Sequence, residues 1–295
     1  MHLAYHLETT RRDFARHVDF LKACLVEHVP IFFMLNPEDY QPAFGSGTTF
    51  DQVLGTLERQ VAEVRGQGLE VEDLILFPGA GIPNTIASDP DQQARFHQLC
   101  RWCGQHQIKR MGLFPRVENR EEATPKWLED IVAGARFMAD TAAEDSISLG
   151  LHVNMIAGCR LDRVEDVEDF YARVDRPNWG LMFCFGCLAL AGLDLPAMVH
   201  KWGERIVLVD LRDVRGTWKN CAEEAQFGTG RIDLAGGLRA LREIGYQGIL
   251  RPEHFPRLDA VSSPEERKLF TQPNDPDPVS VAWTLAYTRG LLSAL

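Results

Sequence analysis

The stretch ISLGLHVNMIAGCRLDRVEDVEDFYARVDRPNWGLMFCFG, residues 147–186, decides the fold. It opens with an apolar run that ends at His152 and Asn154, continues with the amphipathic segment 164–174, and closes with a second apolar run, 179–186. Apolar strands separated by a helical pattern are typical of a parallel sheet covered by helices. The stretch therefore predicts two parallel strands joined by a crossover helix.

The same alternation of apolar run and amphipathic helix continues in both directions along the chain, giving eight units in all. The predicted strands are residues 2–8, 29–36, 71–79, 108–117, 147–154, 179–186, 205–214 and 248–255. Most of the predicted helices begin near Thr, Asp or Pro, which are favoured at helix N-termini. These helices are residues 10–28, 49–67, 89–107, 124–144, 164–174, 194–204, 233–245 and 277–295.

Eight strand–helix units in 295 residues predict an α/β fold of the (β/α)8 type, a TIM barrel, with residues 1–295 in a single domain. An open, doubly wound sheet is the alternative, because it is built from the same units. The barrel is favoured because no Gly-x-Gly-x-x-Gly run follows the first predicted strand. No linker or change of composition divides the chain.

Composition narrows the class of protein. The formal net charge of −11 argues against nucleic acid as a partner, because phosphate binding needs a basic face. The N-terminus has no signal-peptide pattern, and no stretch reaches the roughly 20 apolar residues of a membrane span. Seven cysteines, an odd number, favour a reducing compartment. We expect a cytoplasmic protein that acts on a small molecule, without nucleic-acid or membrane partners, and leave homo-oligomerisation open.

Metal-binding side chains stand near the ends of four neighbouring predicted strands. They are His152, Cys184, Asp210 and Glu253. Each has an ordinary structural interpretation, such as a hydrogen-bonded imidazole, a small buried thiol or a carboxylate that caps a loop. The active sites of such barrels lie at the carboxyl ends of the strands, and all four residue types bind divalent metals. Their occurrence on adjacent strands at similar depth therefore predicts a metal site.

Five runs of sequence carry a resemblance to a known family. They are LGLHVNMIAG at 149–158, FCFGCL at 183–188, VDLRDVRG at 209–216, RPEHF at 251–255 and LAYTRGLL at 285–292. Together they resemble the mannonate dehydratase family, within the wider group of xylose isomerase-like barrels. The resemblance covers about residues 147–295, and the first half of the chain matches mainly in strand order.

The resemblance implies a divalent metal, usually manganese, and a sugar acid that loses water to give a 2-keto-3-deoxy acid. Zinc, cobalt and iron(II) are alternative metals. The family's ligands are His, Cys, His and Asp, whereas this chain has Asp210 on strand 7 and Glu253 on strand 8. The family's Tyr and Arg ahead of Leu-Ala-Tyr have no equivalent in PVSVAWT, residues 278–284.

These features predict a metal-dependent hydro-lyase that dehydrates a sugar acid. A metal-dependent sugar isomerase or epimerase is the second hypothesis. Related epimerases place a Glu on strand 5 and another on strand 8, and this chain keeps only the second, Glu253. A catalytically inactive sugar-binding barrel is the third hypothesis.

Dehydration also needs proton transfer, for which an imidazole that titrates near neutral pH is suited. His254 is the first candidate acid or base, with Asp213 or His6 as its counterpart.

Substrate contacts are expected from Arg212 and Arg251, because a guanidinium binds a carboxylate in bidentate fashion, with ion pairing at the rim as the alternative. Arg116 and Asn154 are further candidates. The run GTGRID, residues 228–233, is either a backbone anion site or a plain helix-entry loop.

Overall fold

A computed structural model describes residues 1–8, 14–76, 81–116, 118–122, 124–256 and 278–295. The strands in these ranges are β1 (His2–Leu3), β2 (Leu7–Glu8), β3 (Ile31–Phe33), β4 (Asp73–Leu76), β5 (Arg110–Leu113), β6 (Ser148–His152), β7 (Trp179–Cys184), β8 (Ile206–Leu211), β9 (Asp213–Thr217), β10 (Asn220–Ala225) and β11 (Ile249–Pro252). The longer helices are α1 (Phe14–Ala23), α3 (Phe50–Gly66), α5 (Pro90–Gln105), α6 (Pro125–Ala143), α7 (Val164–Val174), α9 (Leu195–Trp202), α10 (Leu234–Glu243) and α11 (Pro278–Ser293). Three shorter helices are α2 (Gln41–Phe44), α4 (Ile82–Thr85) and α8 (Phe185–Leu190).

The parallel sheet closes into a barrel through the first predicted strand, which is divided into β1 and β2. β1 pairs with β11, and β2 pairs with β3. Between the two halves, the Ala4 amide donates to the Leu250 carbonyl at 2.9 Å, and the Tyr5 amide donates to the His28 carbonyl at 3.2 Å. The remaining strands pair in the order β11–β8–β7–β6–β5–β4–β3. One strand thus joins both edges of the sheet, and the predicted (β/α)8 barrel is confirmed.

The barrel interior is filled by side chains rather than by a channel. Ala4, Met182, Leu208 and Ile249 form one buried cluster contributed by the first strand and by β7, β8 and β11. A Cβ atom at Gly112 on β5 would lie 2.9 Å from Met182 Sδ, so glycine at this position leaves room for residues from across the barrel. The larger apolar cluster packs the outer helices against the strands.

The helices agree with the sequence pattern to within a few residues. α7 matches its prediction fully, and α3 begins after Thr49, whose hydroxyl accepts from the Gln52 amide while the Gln52 side chain accepts from the Thr49 amide. This capping box satisfies two amides that the first turn leaves unpaired. Residues 9–13, where the first predicted helix starts, and 257–277 lie outside the described residues. The single-domain assignment stays a prediction.

Six of the predicted strands end two to four residues earlier than the sequence suggested, and two of these ends have a visible cause. The strand predicted to reach Gly186 ends at Cys184, because α8 begins at Phe185. Periodicity misses this boundary, since FCFGCL is apolar throughout and a short buried helix then looks like a strand. The next strand ends at Leu211, and β9 and β10 form an antiparallel hairpin that the sequence analysis missed.

Two global features bear on the composition arguments. All seven cysteines are free thiols. Among the helices that the structure describes, none is both long enough and apolar enough to cross a membrane.

Candidate active site

The four predicted metal ligands converge at the carboxyl end of the barrel. His152 and Cys184 are the last residues of β6 and β7, Asp210 lies near the end of β8, and Glu253 follows β11 directly. Ligand atoms of His152, Asp210 and Glu253 lie within 4.8 Å of one another. Cys184 Sγ lies 3.7 Å from Glu253 Oε1, and all four residues are buried. Register explains their common depth, because Cys184 stands opposite Asp210 in the β7–β8 pair.

This cluster contains buried polar atoms that a cation would satisfy. Within the described residues, Asp210 Oδ2 and His152 Nδ1 have no hydrogen-bond partner. Asp210 Oδ2 lies 3.8 Å from His152 Nε2. A buried carboxylate oxygen without a partner is costly, and an imidazole, a thiolate and two carboxylates together form a donor set for a divalent metal. The residues present therefore fit a metal ion.

Arg251 lies beneath the cluster and contacts both carboxylates. Its Nη2 is 2.7 Å from Asp210 Oδ1 and 3.0 Å from Glu253 Oε2, and its guanidinium lies 5.3 Å from the centre of the Phe32 ring. The side chain is 1% exposed. Arg251 thus contacts and orients the two carboxylates, and the substrate contact expected of it stays a prediction.

The two carboxylates titrate differently although they share one guanidinium. Burial raises the pKa of Asp210 to about 6, and the attraction of Arg251 only partly opposes it. For Glu253, burial also raises the pKa, but Arg251, His152 and His254 outweigh it and lower the pKa to about 2.

Arg212 forms the wall of the cluster on the side of the hairpin. Its guanidinium pairs with Glu224 on β10, with Nε 3.3 Å from Oε2, and Nη1 lies 3.2 Å from Cys187 Sγ and 3.8 Å from Cys184 Sγ. A Cβ atom at Gly186 would lie 2.7 Å from Arg212 Cβ, so glycine lets α8 pass close to this arginine. Ion pairing at the rim describes Arg212 better than an open substrate contact.

His254 turns out of strand geometry directly after Glu253. Its φ of +56° lies in the left-handed region, which is uncommon for a residue other than glycine, and such residues concentrate at functional sites. Nε2 lies 3.9 Å from Glu253 Oε1, Nδ1 lies 3.6 Å from Glu224 Oε1, and the side chain is 50% exposed. Burial of the ring lowers the His254 pKa. His254 and Glu253 therefore face the same rim instead of opposite sides of a strand.

Asp213 is occupied by the loop that precedes α10. Its Oδ2 accepts from the Gly228 amide at 3.0 Å and from the Gly230 amide at 2.9 Å. Its Oδ1 accepts from the Val214 amide at 3.0 Å and from the Ile232 amide at 3.3 Å. The loop GTGRID, residues 228–233, therefore binds an anion, and that anion is the protein's own Asp213 carboxylate. These contacts anchor the loop, and the proton-transfer role expected of Asp213 stays a prediction.

The other predicted residues lie around the same end of the barrel. His6 stacks on Tyr5 with ring centres 5.1 Å apart and meets the edge of Phe32 at 4.4 Å, so it shares a neighbour with Arg251. Arg116 and Asn154 line one small cavity of about 20 Å³. Arg116 is directed to solvent, with Nε 3.7 Å from Glu118 Oε1 and the side chain 66% exposed.

Sequence reasoning missed Glu224 and Cys187 as members of this site. Cys187 was visible only as the second half of the Cys184-x-x-Cys187 pair, and His152, Cys184 and Cys187 form a second possible ligand group. Glu224 carried no signal, because its place depends on the unpredicted hairpin. It is the residue that joins Arg212 to His254.

A cavity of about 620 Å³ lies at the opposite, amino end of the barrel. Two of the arginines that line it are already paired, Arg110 with Asp73 and Arg176 with Asp140. Among the described residues, two potential metal ligands with a buried atom that lacks a hydrogen-bond partner, Asp210 and His152, stand together at the carboxyl end. We therefore assign the candidate active site to the carboxyl end.

Fold and site together define a (β/α)8 barrel with a cluster of metal-binding side chains at the carboxyl ends of its strands. The chain belongs to the family described as xylose isomerase-like TIM barrel, whose sequence profile matches residues 55–270.

Curated relatives are more specific but partial. The chain is 31% identical over 139 residues to the mannonate dehydratase of Enterococcus faecalis, a match that covers 43% of this chain and 39% of the relative. The chain thus spans well under half the length of this relative. The predicted resemblance to mannonate dehydratases is confirmed over that part.

Solved structures agree on the fold over the whole length. The mannonate dehydratase of Streptococcus suis serotype 2 superposes with a TM-score of 0.72 at 17% identity, covering 100% of this chain and 93% of that one. A D-psicose 3-epimerase from Clostridium cellulolyticum H10, solved with D-tagatose, gives a TM-score of 0.71 at 15% identity and covers 99% of both chains. At these identities the likeness establishes the fold and leaves the reaction to the site.

Proposed function

We propose that this protein is a metal-dependent hydro-lyase that removes water from a sugar acid, in the manner of a mannonate dehydratase. The observation that carries the proposal is the convergence of His152, Cys184, Asp210 and Glu253 around a buried Asp210 oxygen that accepts no hydrogen bond from the described residues. The match to curated mannonate dehydratases supports it. The substrate is a small acid sugar, and manganese is the proposed metal.

The four side chains would hold the metal, with Arg251 fixing the two carboxylates from below. When bound, a divalent metal polarises the substrate's carboxylate and hydroxyl oxygens as a Lewis acid. Two carboxylates and an imidazole suit a hard ion such as manganese, whereas the Cys184 thiolate favours a softer ion such as zinc. Activity restored to stripped protein by zinc and not by manganese would reverse the choice of metal.

Dehydration requires removal of the proton next to the carboxylate and protonation of the departing hydroxyl. His254 is the proposed acid or base, because its half-exposed ring stands at the rim beside Glu253. Glu224, which faces His254 Nδ1 at 3.6 Å, orients the ring and holds Arg212 at the same time. His6 is the proposed counterpart, since it packs on Phe32 next to Arg251.

A sugar isomerase or epimerase is the second candidate, favoured by the Glu at the end of the eighth barrel strand. Strand 5 of this barrel ends in His152, however, and a two-glutamate proton shuttle is then incomplete. An inactive sugar-binding barrel is the third candidate, and metal analysis together with turnover separates it from both enzymes.

The decisive experiment is a screen of acid sugars with manganese-loaded protein, read by product mass. A product lighter by one water supports the dehydratase, whereas a product of unchanged mass but altered chromatographic behaviour supports the isomerase. Cys184→Ser is the test variant, and Cys103→Ser, which changes a buried free cysteine on α5 away from the site, is its matched control. Equal metal content and equal turnover in the two variants would remove Cys184 from the proposed ligand set.

A further inference from the structure

A second cluster of metal-binding side chains lies at the amino end of the barrel, opposite the candidate active site. Its members are His2, the first residue of β1, and Glu27 and His28, which precede β3. One ligand atom from each lies within 4.8 Å of the others. His2 Nδ1 is 3.2 Å from Glu27 Oε2, and the His2 and His28 ring centres are 4.5 Å apart.

The backbone holds these three residues in place independently of their side chains. The Glu27 amide donates to the Leu3 carbonyl at 3.1 Å, and the His28 amide donates to the same oxygen at 3.3 Å. The His28 carbonyl accepts from the Tyr5 amide at 3.2 Å. Because the strand that closes the barrel carries one ligand and the adjoining loop carries two, the donor set is preorganised.

His28 supplies an independent sign that the cluster binds something. The residue is 8% exposed, and its Nδ1 is buried without a hydrogen-bond partner among the residues that the structure describes. A buried imidazole normally pairs its nitrogens, because an unmet polar atom costs free energy. The two oxygens of the Glu27 carboxylate have different neighbours: Oε2 faces His2, and Oε1 lies 3.8 Å from Arg289.

We propose that His2, Glu27 and His28 form a second divalent-metal site, for zinc or a similar borderline ion, which fastens the closing seam of the barrel. Two imidazoles and one carboxylate suit zinc rather than magnesium or calcium, which prefer oxygen ligands. Ligands about 2.0–2.1 Å from a tetrahedral ion are about 3.3–3.4 Å apart, close to the separation of His2 and Glu27. His2 and Glu27 are about half exposed, so an ion reaches the site directly from solvent.

The chain contains a matched control for this site. His200 and Glu243 form an exposed pair with Nε2 3.2 Å from Oε2, the same separation as the His2–Glu27 pair. Within the described residues they belong to no three-ligand group. His2→Ala and His200→Ala therefore remove equivalent surface imidazoles, and only the first removes a proposed ligand.

The test is a zinc titration of the stripped, full-length protein without an affinity tag, comparing wild type, His2→Ala and His200→Ala. We expect one zinc equivalent to weaken by at least roughly tenfold in His2→Ala, because even the loss of a residue supporting a ligand costs 10–100-fold. Zinc should also raise the melting temperature of His200→Ala more than that of His2→Ala, since an ion bound to the folded state stabilises it.

Equal zinc stoichiometry and equal zinc affinity in the two variants would overturn the second site. An equal loss of zinc affinity in both would overturn it too, because both residues would then act as ordinary His–Glu pairs. His28→Gln provides a second ligand variant and should reproduce His2→Ala, with circular dichroism verifying its fold. Neither surface variant touches His152, Cys184, Asp210 or Glu253. A negative result here therefore leaves the proposed dehydratase activity standing, and an inactive wild type leaves this site standing.

Discussion

The two ends of the barrel both set an arginine against buried carboxylates, and they do so in different ways. At the amino end, Arg110 on β5 meets Asp73 on β4 through two parallel contacts, Nε to Oδ1 and Nη2 to Oδ2, the latter at 3.0 Å. At the carboxyl end, one guanidinium, that of Arg251, faces both Asp210 and Glu253. The first arrangement uses both carboxylate oxygens, and the second leaves Asp210 Oδ2 without a hydrogen bond among the described residues.

We infer from this difference that the Arg110–Asp73 pair serves stability, whereas the cluster around Arg251 is built to bind a ligand. In a matched ion pair, the charges of the two side chains satisfy each other, so neither side chain has an unpaired atom with which to bind a ligand. An arginine shared by two carboxylates leaves excess negative charge and unmet bonding capacity, which a cation would satisfy. Function in these barrels is found at the carboxyl face, and stability at the amino face. The four predictions below test this division, from the largest expected effect to the smallest.

Removing a proposed ligand should have the largest effect. Cys184→Ala and Glu253→Ala should each lower the metal content of purified protein, because each removes a direct bond to the ion. Turnover should fall with the metal. The comparison of ends supplies the control: Arg176→Ala, at the amino-end cavity, should leave metal content and turnover unchanged. Full metal in both carboxyl-end variants, measured by plasma mass spectrometry, would place the site elsewhere.

His254→Asn should keep the metal and the fold while kcat falls by roughly 10²–10⁴, the usual range for loss of an acid or base. Asn retains a polar side chain of similar size but transfers no proton at neutral pH. Glu224→Gln should cause a smaller fall, because Glu224 orients the ring without taking the proton. A near-normal kcat in His254→Asn, with saturating substrate, would assign His254 a structural role and leave proton transfer to His6.

Asp73→Ala should cause the largest loss of stability at the amino end. Breaking a buried ion pair costs about 3–5 kcal/mol, and the loss is expected at the lower end because Arg110 is 20% exposed and also meets Glu72. The control is Asp140→Ala, which breaks the more exposed pair with Arg176 and should cost no more than about 1 kcal/mol. Urea denaturation measures both free energies of unfolding. Equal losses of unfolding free energy in the two variants would show that burial of the Asp73–Arg110 pair contributes nothing to stability.

The sequence predicted which side chains converge at the carboxyl end better than it predicted the contacts that they make there. His152, Cys184, Asp210 and Glu253 were identifiable because strand ends in a barrel meet at one face, so position along the chain fixes position in space. Glu224 was not identifiable, because the hairpin that carries it depends on pairing between β9 and β10. The contacts of Arg251 and Asp213 depend on side-chain direction and depth, since one points beneath the carboxylates and the other into the loop at 228–232.

The amino-end cluster of His2, Glu27 and His28 was missed for a related reason. His2 and His28 are separated by a whole helix, and their approach depends on how the first strand pairs with the loop before β3. The spacing of these residues along the sequence does not predict that pairing. Elements with strong local signals, such as α3 with its capping box, were predictable to within one residue at each end.

The smallest effect is expected at the carboxyl end, from Asp210→Asn in metal-free protein. The variant should lose less than about 1 kcal/mol of unfolding free energy, or even gain stability, because it removes excess buried charge while Arg251 stays paired with Glu253. In the presence of metal the same variant should be less stable than wild type. Metal binding stabilises the folded state, and the variant lacks one of the proposed ligands. Urea denaturation with and without manganese measures both. A loss as large as that of Asp73→Ala in metal-free protein would mean that Asp210 is a stability residue like those at the amino end, and the division between the two ends would then fail.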